Sequence, residues 1–163
     1  MSERSAKGKH WHGPALDLRD KTSPVEVAAA LAAARGVDLH TSLSAVWTFP
    51  DLPRAMERID AAITKKEVIG IFGDYDCDGV TGTALVLRLV RSLGARPVVR
   101  LPHRMREGYG LKQMHVEEML KQCVTLLITI DTGIGCKAEV QYAQEHGCDV
   151  IILDHHHIPD AKA

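Results

Sequence analysis

Three short clusters carry the residue types that catalysis at phosphorus or metal capture would need: Asp74-Tyr75-Asp76-Cys77-Asp78-Gly79, Asp131-Thr132-Gly133 and Asp154-His155-His156-His157. Each directly follows a short apolar run, VIGIF (Val68 to Phe72, then Gly73), LLITI (Leu126 to Ile130) and DVIIL (Asp149 to Leu153). Taken singly, Asp and Gly in such places are ordinary turn and helix-capping residues. Together they send acids and imidazoles out at one edge. The carboxylates of Asp74, Asp76, Asp78, Asp131 and Asp154 would repel one another there unless protonated or neutralised by cations. Hard oxygen donors mixed with imidazole suit Mn²⁺ better than Ca²⁺.

Two local alternatives compete for the first cluster. DYDCDG begins like a calcium loop, but the twelfth position, where a bidentate glutamate belongs, is Leu85, so that reading fails. Asp76-Cys77-Asp78-Gly79-Val80-Thr81 is similar to the D-x-D-G-T/V nucleophile motif of haloacid-dehalogenase-type phosphatases, and this rival survives locally. It needs a later strand ending in Ser or Thr, a lysine and an acidic pair; LLITI ends in Asp-Thr-Gly and DVIIL in Asp-His-His, which suits a metal cluster better.

The elements that must position these groups follow from periodicity. Strands that are apolar along their whole length, alternating with amphipathic stretches, predict an α/β domain. Its parallel β-sheet would carry helices on both faces. In such sheets ligands bind beyond the carboxyl ends of the strands. GVTGTALVLRLVRSLG, a segment between a loop after PVVRL and LLITI, and KAEVQYAQEHG supply helices, and PVVRL a further strand. Upstream, Ser23-Pro24-Val25-Glu26 reads as a helix start closed by Gly36, and Leu52, Met56, Ile59 and Ile63 recur at helical spacing in a helix from Leu52 to Lys65. Residues 1–22 are polar, of mixed charge and without sustained period, and are expected to form a leader or arm before a domain over 23–163. Trp11, His10 and His12 lie in that arm, and Trp47 is expected to pack in the core or on the second helix.

Composition bounds the rest. The 163 residues are 45% hydrophobic and 25% charged, which fits one globular domain and neither a disordered tail nor a membrane protein. A net charge of -1 supplies no general positive field for non-specific DNA binding, so any nucleic-acid contact must be local. The segment from Arg100 to Lys112 offers one: Arg104 and Arg106 flank Tyr109 closely enough to grip a single-stranded backbone and stack a base, although a solvated loop with surface charges accounts equally well for individual positions. Gly108 and Gly110 are expected to take positive dihedrals there. Gly79 and Gly82 open the helix after the first cluster, through amides that favour phosphate or through close packing. Cys77, Cys123, Cys136 and Cys148 form no C-x-x-C pair and the first thirty residues hold no apolar signal core, which indicates free thiols and a cytoplasmic protein.

The three strand-end clusters, in this order, resemble motifs one to three of the DHH phosphoesterase superfamily. Pro102-His103-Arg104-Met105-Arg106-Glu107-Gly108-Tyr109-Gly110-Leu111 resembles the P-x-R-x-x-E-G-Y-G-L stretch of its RecJ-like branch, exonucleases that degrade single-stranded DNA from 5′ to 3′. The resemblance runs from about Ala29 to Pro159. It implies a hydrolase that uses Mn²⁺ or Mg²⁺, with two ions in the complete protein. Asp76, Asp78, Asp131 and His155 would be metal ligands, Asp131 the bridge between ions, and Asp74 a ligand or an acid just outside them. His156 would donate a hydrogen bond to the scissile phosphate and Asp154 would orient a histidine. Single-stranded DNA is the implied substrate, DNA repair and recombination the setting, with a helicase and a single-strand-binding protein as partners and no membrane. Phosphodiesterases or pyrophosphatases acting on short oligonucleotides or cyclic dinucleotides, and non-catalytic DNA-binding or replication-partner-binding modules, occur in the same superfamily. Cys77 and Thr132 depart from its usual alanine and asparagine, and His157 makes the histidine run one longer. The family continues to a fourth motif with another metal-binding aspartate and a further domain, so this chain corresponds to the amino-terminal part.

Overall fold

The structure, a computed structural model, describes residues 24–34 and 49–157. The expected leader at 1–22, the cap Ser23, the closing Gly36 and both tryptophans lie outside the described residues. Contacts divide the chain into Met1–Thr48 and Phe49–Ala163. In the first unit, α1 (Pro24–Ala34) is helical from the proline onward, as a proline with preset φ at the first position favours.

The second unit runs α2 (Leu52–Thr64), β1 (Val68–Gly73), α3 (Cys77–Ser92), β2 (Val98–Arg100), α4 (Gln113–Lys121), β3 (Val124–Ile130), α5 (Lys137–Glu145) and β4 (Asp149–Leu153). Its strands form one parallel sheet in the order β2-β1-β3-β4. Alternation along the strands explains two cores. Ile69 and Ile71 of β1 join Leu126, Ile128 and Ile130 of β3 beneath Ala62 of α2 and Val90 of α3. Phe72 and Leu127 face the other way, beneath Val116 and Met119 of α4 and Ala143 of α5. Each fully buried Ile, Leu or Phe contributes about 1.5–3 kcal/mol, so the sheet has to be covered on both sides. This is the α/β class expected, with helices on both faces.

The differences in detail have local causes. β3 starts at Val124 rather than Leu126 because Val124 already pairs with Val68. α3 starts at Cys77 because Asp76 caps it, accepting a hydrogen bond from the Gly79 amide at 3.0 Å. Met56, expected on the apolar face of α2, is half exposed, and Ala62 takes the buried place. All four cysteines are free thiols, and burial pushes the Cys148 thiol up to about 11. Among the described residues no helix is long and apolar enough to cross a membrane.

Candidate metal centre

β1 is followed by β2 on one side and β3 by β4 on the other, so the connections leaving β1 and β3 part at the carboxyl ends of these central strands. Crevices of this kind are where open α/β sheets bind ligands. Asp74 and Asp131 stand at its two lips. Their backbones extend the ladder by one rung, with the Asp74 amide donating to Ile130 at 3.1 Å and the Asp131 amide to Leu153 at 2.8 Å. Asp131 takes a left-handed backbone with φ 59°, a conformation that aspartate tolerates better than most residues but that still costs about 1 kcal/mol or more. Gly79 allows the first turn of α3 to press on the first lip, since a Cβ there would lie 2.5 Å from the Asp74 carbonyl oxygen. Gly82 packs on the sheet: its Cβ would meet Ile130 at 2.7 Å.

Side-chain donor atoms of Asp74, Asp76 and Asp131 lie within 4.8 Å of one another, and so do those of Asp131, His155 and His156. Asp131 is shared by both groups. Asp74 and Asp131 are only 2% and 6% exposed, yet Oδ1 of Asp74 has no hydrogen-bond partner among the described residues and Oδ1 of Asp131 faces only histidine nitrogens, His155 the nearer. Buried, unpaired carboxylate oxygens are expensive. Burial, then the Asp76 charge, holds both carboxyls above the usual range. Asp76 is exposed and goes the other way, held low chiefly by the Gly79 amide. An orphaned oxygen on Asp74, mutual repulsion and a second carboxylate set beside an imidazole form a donor set that a hard divalent cation would satisfy, so the residues present fit such an ion.

The histidines divide their work. His155 Nε2 lies 3.0 Å from Asp131 Oδ1. The nitrogen that His156 turns toward Asp131 is Nδ1, at 3.9 Å, but it is already engaged by Asp154 Oδ1 at 2.7 Å. His155 is therefore the better-placed imidazole ligand. The side chain of Asp154 is wholly buried and also accepts from the amides of Ile134 (3.0 Å) and His156 (3.1 Å). Burial raises its carboxyl, but these amides and His156 outweigh that and hold it low; Asp154 in turn raises His156. Asp78, expected among the ligands, falls in neither group and is exposed in the first turn of α3; His157 is exposed as well.

The loop 101–112 brings two of its three expected DNA contacts to the centre. The Arg104 guanidinium lies over the Tyr75 ring, 5.1 Å from its centroid, and its charge reaches Asp74 and Asp76. Tyr109 lies between Gly108 and Gly110, which take φ of 71° and 92°, and its hydroxyl reaches the Asp131 carbonyl (3.4 Å) and His156 Nδ1 (3.2 Å). Arg106 is exposed and, among the described residues, engaged only through its backbone amide, which donates to the His103 carbonyl. Reading the sequence missed the Tyr75–Arg104 stack and the contact of Tyr109 with His156. The only signals available were an aromatic inside the first cluster and another between two glycines.

Residues 68–163 match the family described as "DHH family, N-terminal domain". The single-stranded-DNA-specific exonuclease RecJ of Bacillus subtilis (strain 168) is 40% identical over 116 residues, which is 69% of this chain and 15% of the relative. The protein of the same name from Thermus thermophilus is 38% identical over 122 residues, 75% of this chain and 18% of its own. Among solved structures, exonuclease RecJ bound to manganese superposes with a TM-score of 0.62 at 38% identity, covering 66% of this chain and 28% of that one. RecJ from Thermus thermophilus in complex with Mn²⁺ gives 0.64 at 33% identity, covering 82% and 19%. The chain thus spans less than a third of the length of each of these relatives.

Proposed function

The chain belongs to the DHH family, and from that premise we propose that it is the metal-holding part of an exonuclease that hydrolyses single-stranded DNA from 5′ to 3′ in DNA repair and recombination. The observation that carries this reading is the pair of buried carboxylates, Asp74 and Asp131, at the two lips of the crevice, one with an unpartnered oxygen and the other facing the His155 imidazole. Similarity to proteins named single-stranded-DNA-specific exonuclease, and to RecJ structures solved with manganese, supports the choice of substrate and ion.

Asp74, Asp76, Asp131 and His155 would hold Mn²⁺ or Mg²⁺, with Asp131 common to two ions and Asp78 joining from α3. When bound, such ions supply Lewis acidity at phosphorus and lower the pKa of water. The chain's own groups do the rest. Asp154 binds Nδ1 of His156 and favours its charged form, which leaves the Nε2 proton to donate to a phosphate oxygen. Arg104 adds positive charge beside the acids, while Arg106 and Tyr109 hold the strand. The further assignments are a cytoplasmic setting, a helicase and a single-strand-binding protein as partners, and residues 1–22 as an arm before a domain at 23–163.

The test is degradation of a 5′-labelled single strand with Mn²⁺, beside a duplex and a dinucleotide. The reading predicts stepwise release from the 5′ end of the single strand, abolished in Asp76→Ala. Faster hydrolysis of the dinucleotide would replace it with a phosphodiesterase of short substrates.

A further inference from the structure

The loop between β2 and α4 is fastened from inside by one carboxylate. Glu107 Oε1 accepts from the Arg100 guanidinium at 2.5 Å, Oε2 accepts from the His103 amide, and the Glu107 carbonyl accepts from the Lys112 ammonium. Arg100 is itself tied to Glu118 of α4 at 3.0 Å and to the Leu101 carbonyl at 2.5 Å. The end of β2 and the start of the loop therefore meet at the Glu107 carboxylate, the end of the loop reaches its main chain through Lys112, and α4 joins through Arg100. Its side chain is 16% exposed, unlike the surface charges on either side of it.

Glu107 follows Arg104 by three residues and precedes Tyr109 by two, and these are the groups that the loop delivers to the metal centre. We infer that Glu107 is a positioning residue: the bonds of its carboxylate to Arg100 and His103 fix where Arg104 and the Tyr109 hydroxyl stand against Tyr75 and His156. Ordering an irregular segment costs about 1–2 kcal/mol per residue, and charge-assisted hydrogen bonds are the strong ones available to offset it. Without them the loop spreads over other conformers, and apparent affinity falls with the fraction that remains competent. That Arg104 and Tyr109 serve phosphate rests on the nuclease reading; that Glu107 places them does not.

The experiment records the His156 imidazole ¹⁵N resonances of the metal-free chain in Glu107→Ala, Glu107→Gln and Tyr109→Phe, together with single-stranded oligonucleotide and Mn²⁺ affinities. Glu107→Ala is expected to move the His156 signals toward their Tyr109→Phe positions and to weaken oligonucleotide binding about tenfold, with Mn²⁺ affinity within about twofold of wild type. Added to Arg104→Ala together with Tyr109→Phe it should weaken oligonucleotide binding little further, because both contacts that it positions are already gone. Glu107→Gln keeps an acceptor for His103 and should fall between, and it carries the comparison if the alanine variant does not fold. His156 signals unmoved in both Glu107 variants would overturn the inference. A wild-type chain that binds no single strand overturns the nuclease reading alone, and the resonances still decide the role of Glu107.

Discussion

At the amino ends of β1, β3 and β4 a single arginine gathers the charges. Arg58 of α2 donates to Asp149 at 2.6 Å, to Glu67 at 2.7 Å and to the Thr125 carbonyl at 3.4 Å, and the Thr125 hydroxyl also donates to Glu67 at 2.9 Å. At the carboxyl ends of the same strands, Asp74 and Asp131 are more deeply buried, and no arginine or lysine pairs with them among the described residues. Glu67 is held low, chiefly by Arg58, whereas Asp74 and Asp131 are pushed up by burial. Similar carboxylates therefore serve opposite ends. One end staples the sheet, while the other keeps a left-handed backbone and a repulsion that a cation would offset.

The largest effect expected of this contrast is stabilisation by metal. Saturating Mn²⁺ should raise the stability of the chain by about 2.7 kcal/mol at a hundredfold excess over Kd, reversed by a chelator, in a thermal melt. A melt unmoved by Mn²⁺ would break the contrast at the carboxyl end. Next, Gly79→Ala should destabilise by about 1–3 kcal/mol and weaken Mn²⁺ binding, because the new methyl meets the Asp74 carbonyl. Arg58→Ala should cost about 1–2 kcal/mol, between an exposed pair and a buried one, and leave Mn²⁺ affinity unchanged by calorimetry. The smallest effect is in pH. Since Glu67 has its folded value below the usual 4.5, its contribution is fully present above 4.5 and is lost as pH falls through the folded value. Urea midpoints should drop across that window in wild type and drop less in Arg58→Ala.

The candidate site was legible where its geometry is one-dimensional. A residue just after an apolar run leaves the end of a strand, so Asp74, Asp131 and Asp154 could be placed at one edge from the letters alone. Asp78 shows the limit. It is two residues from Asp76, but α3 begins between them, so Asp76 caps the helix with its side chain among the acids while Asp78 lies in the first turn, outside both donor groups. The division between the two histidines was legible only as adjacent letters, because Asp154 selects His156 by backbone direction. Tyr109 and His156 meet across 47 residues, a pairing that no local period encodes. The bonding of Glu107 was illegible because Arg100, His103 and Lys112 become its neighbours only once the loop has closed. The amino-end staple was illegible for the same reason: Arg58 and Asp149 are 91 residues apart.

The most direct measurement is a calorimetric titration of the chain with Mn²⁺, beside Asp131→Asn and Arg58→Ala. Asn keeps the size of the side chain and tolerates the left-handed backbone, so the fold should survive at unchanged or slightly higher stability. The account predicts that Asp131→Asn lowers Mn²⁺ affinity by more than about 100-fold while Arg58→Ala binds as wild type does. Equal binding by wild type and Asp131→Asn would contradict a metal centre at the carboxyl ends of the sheet.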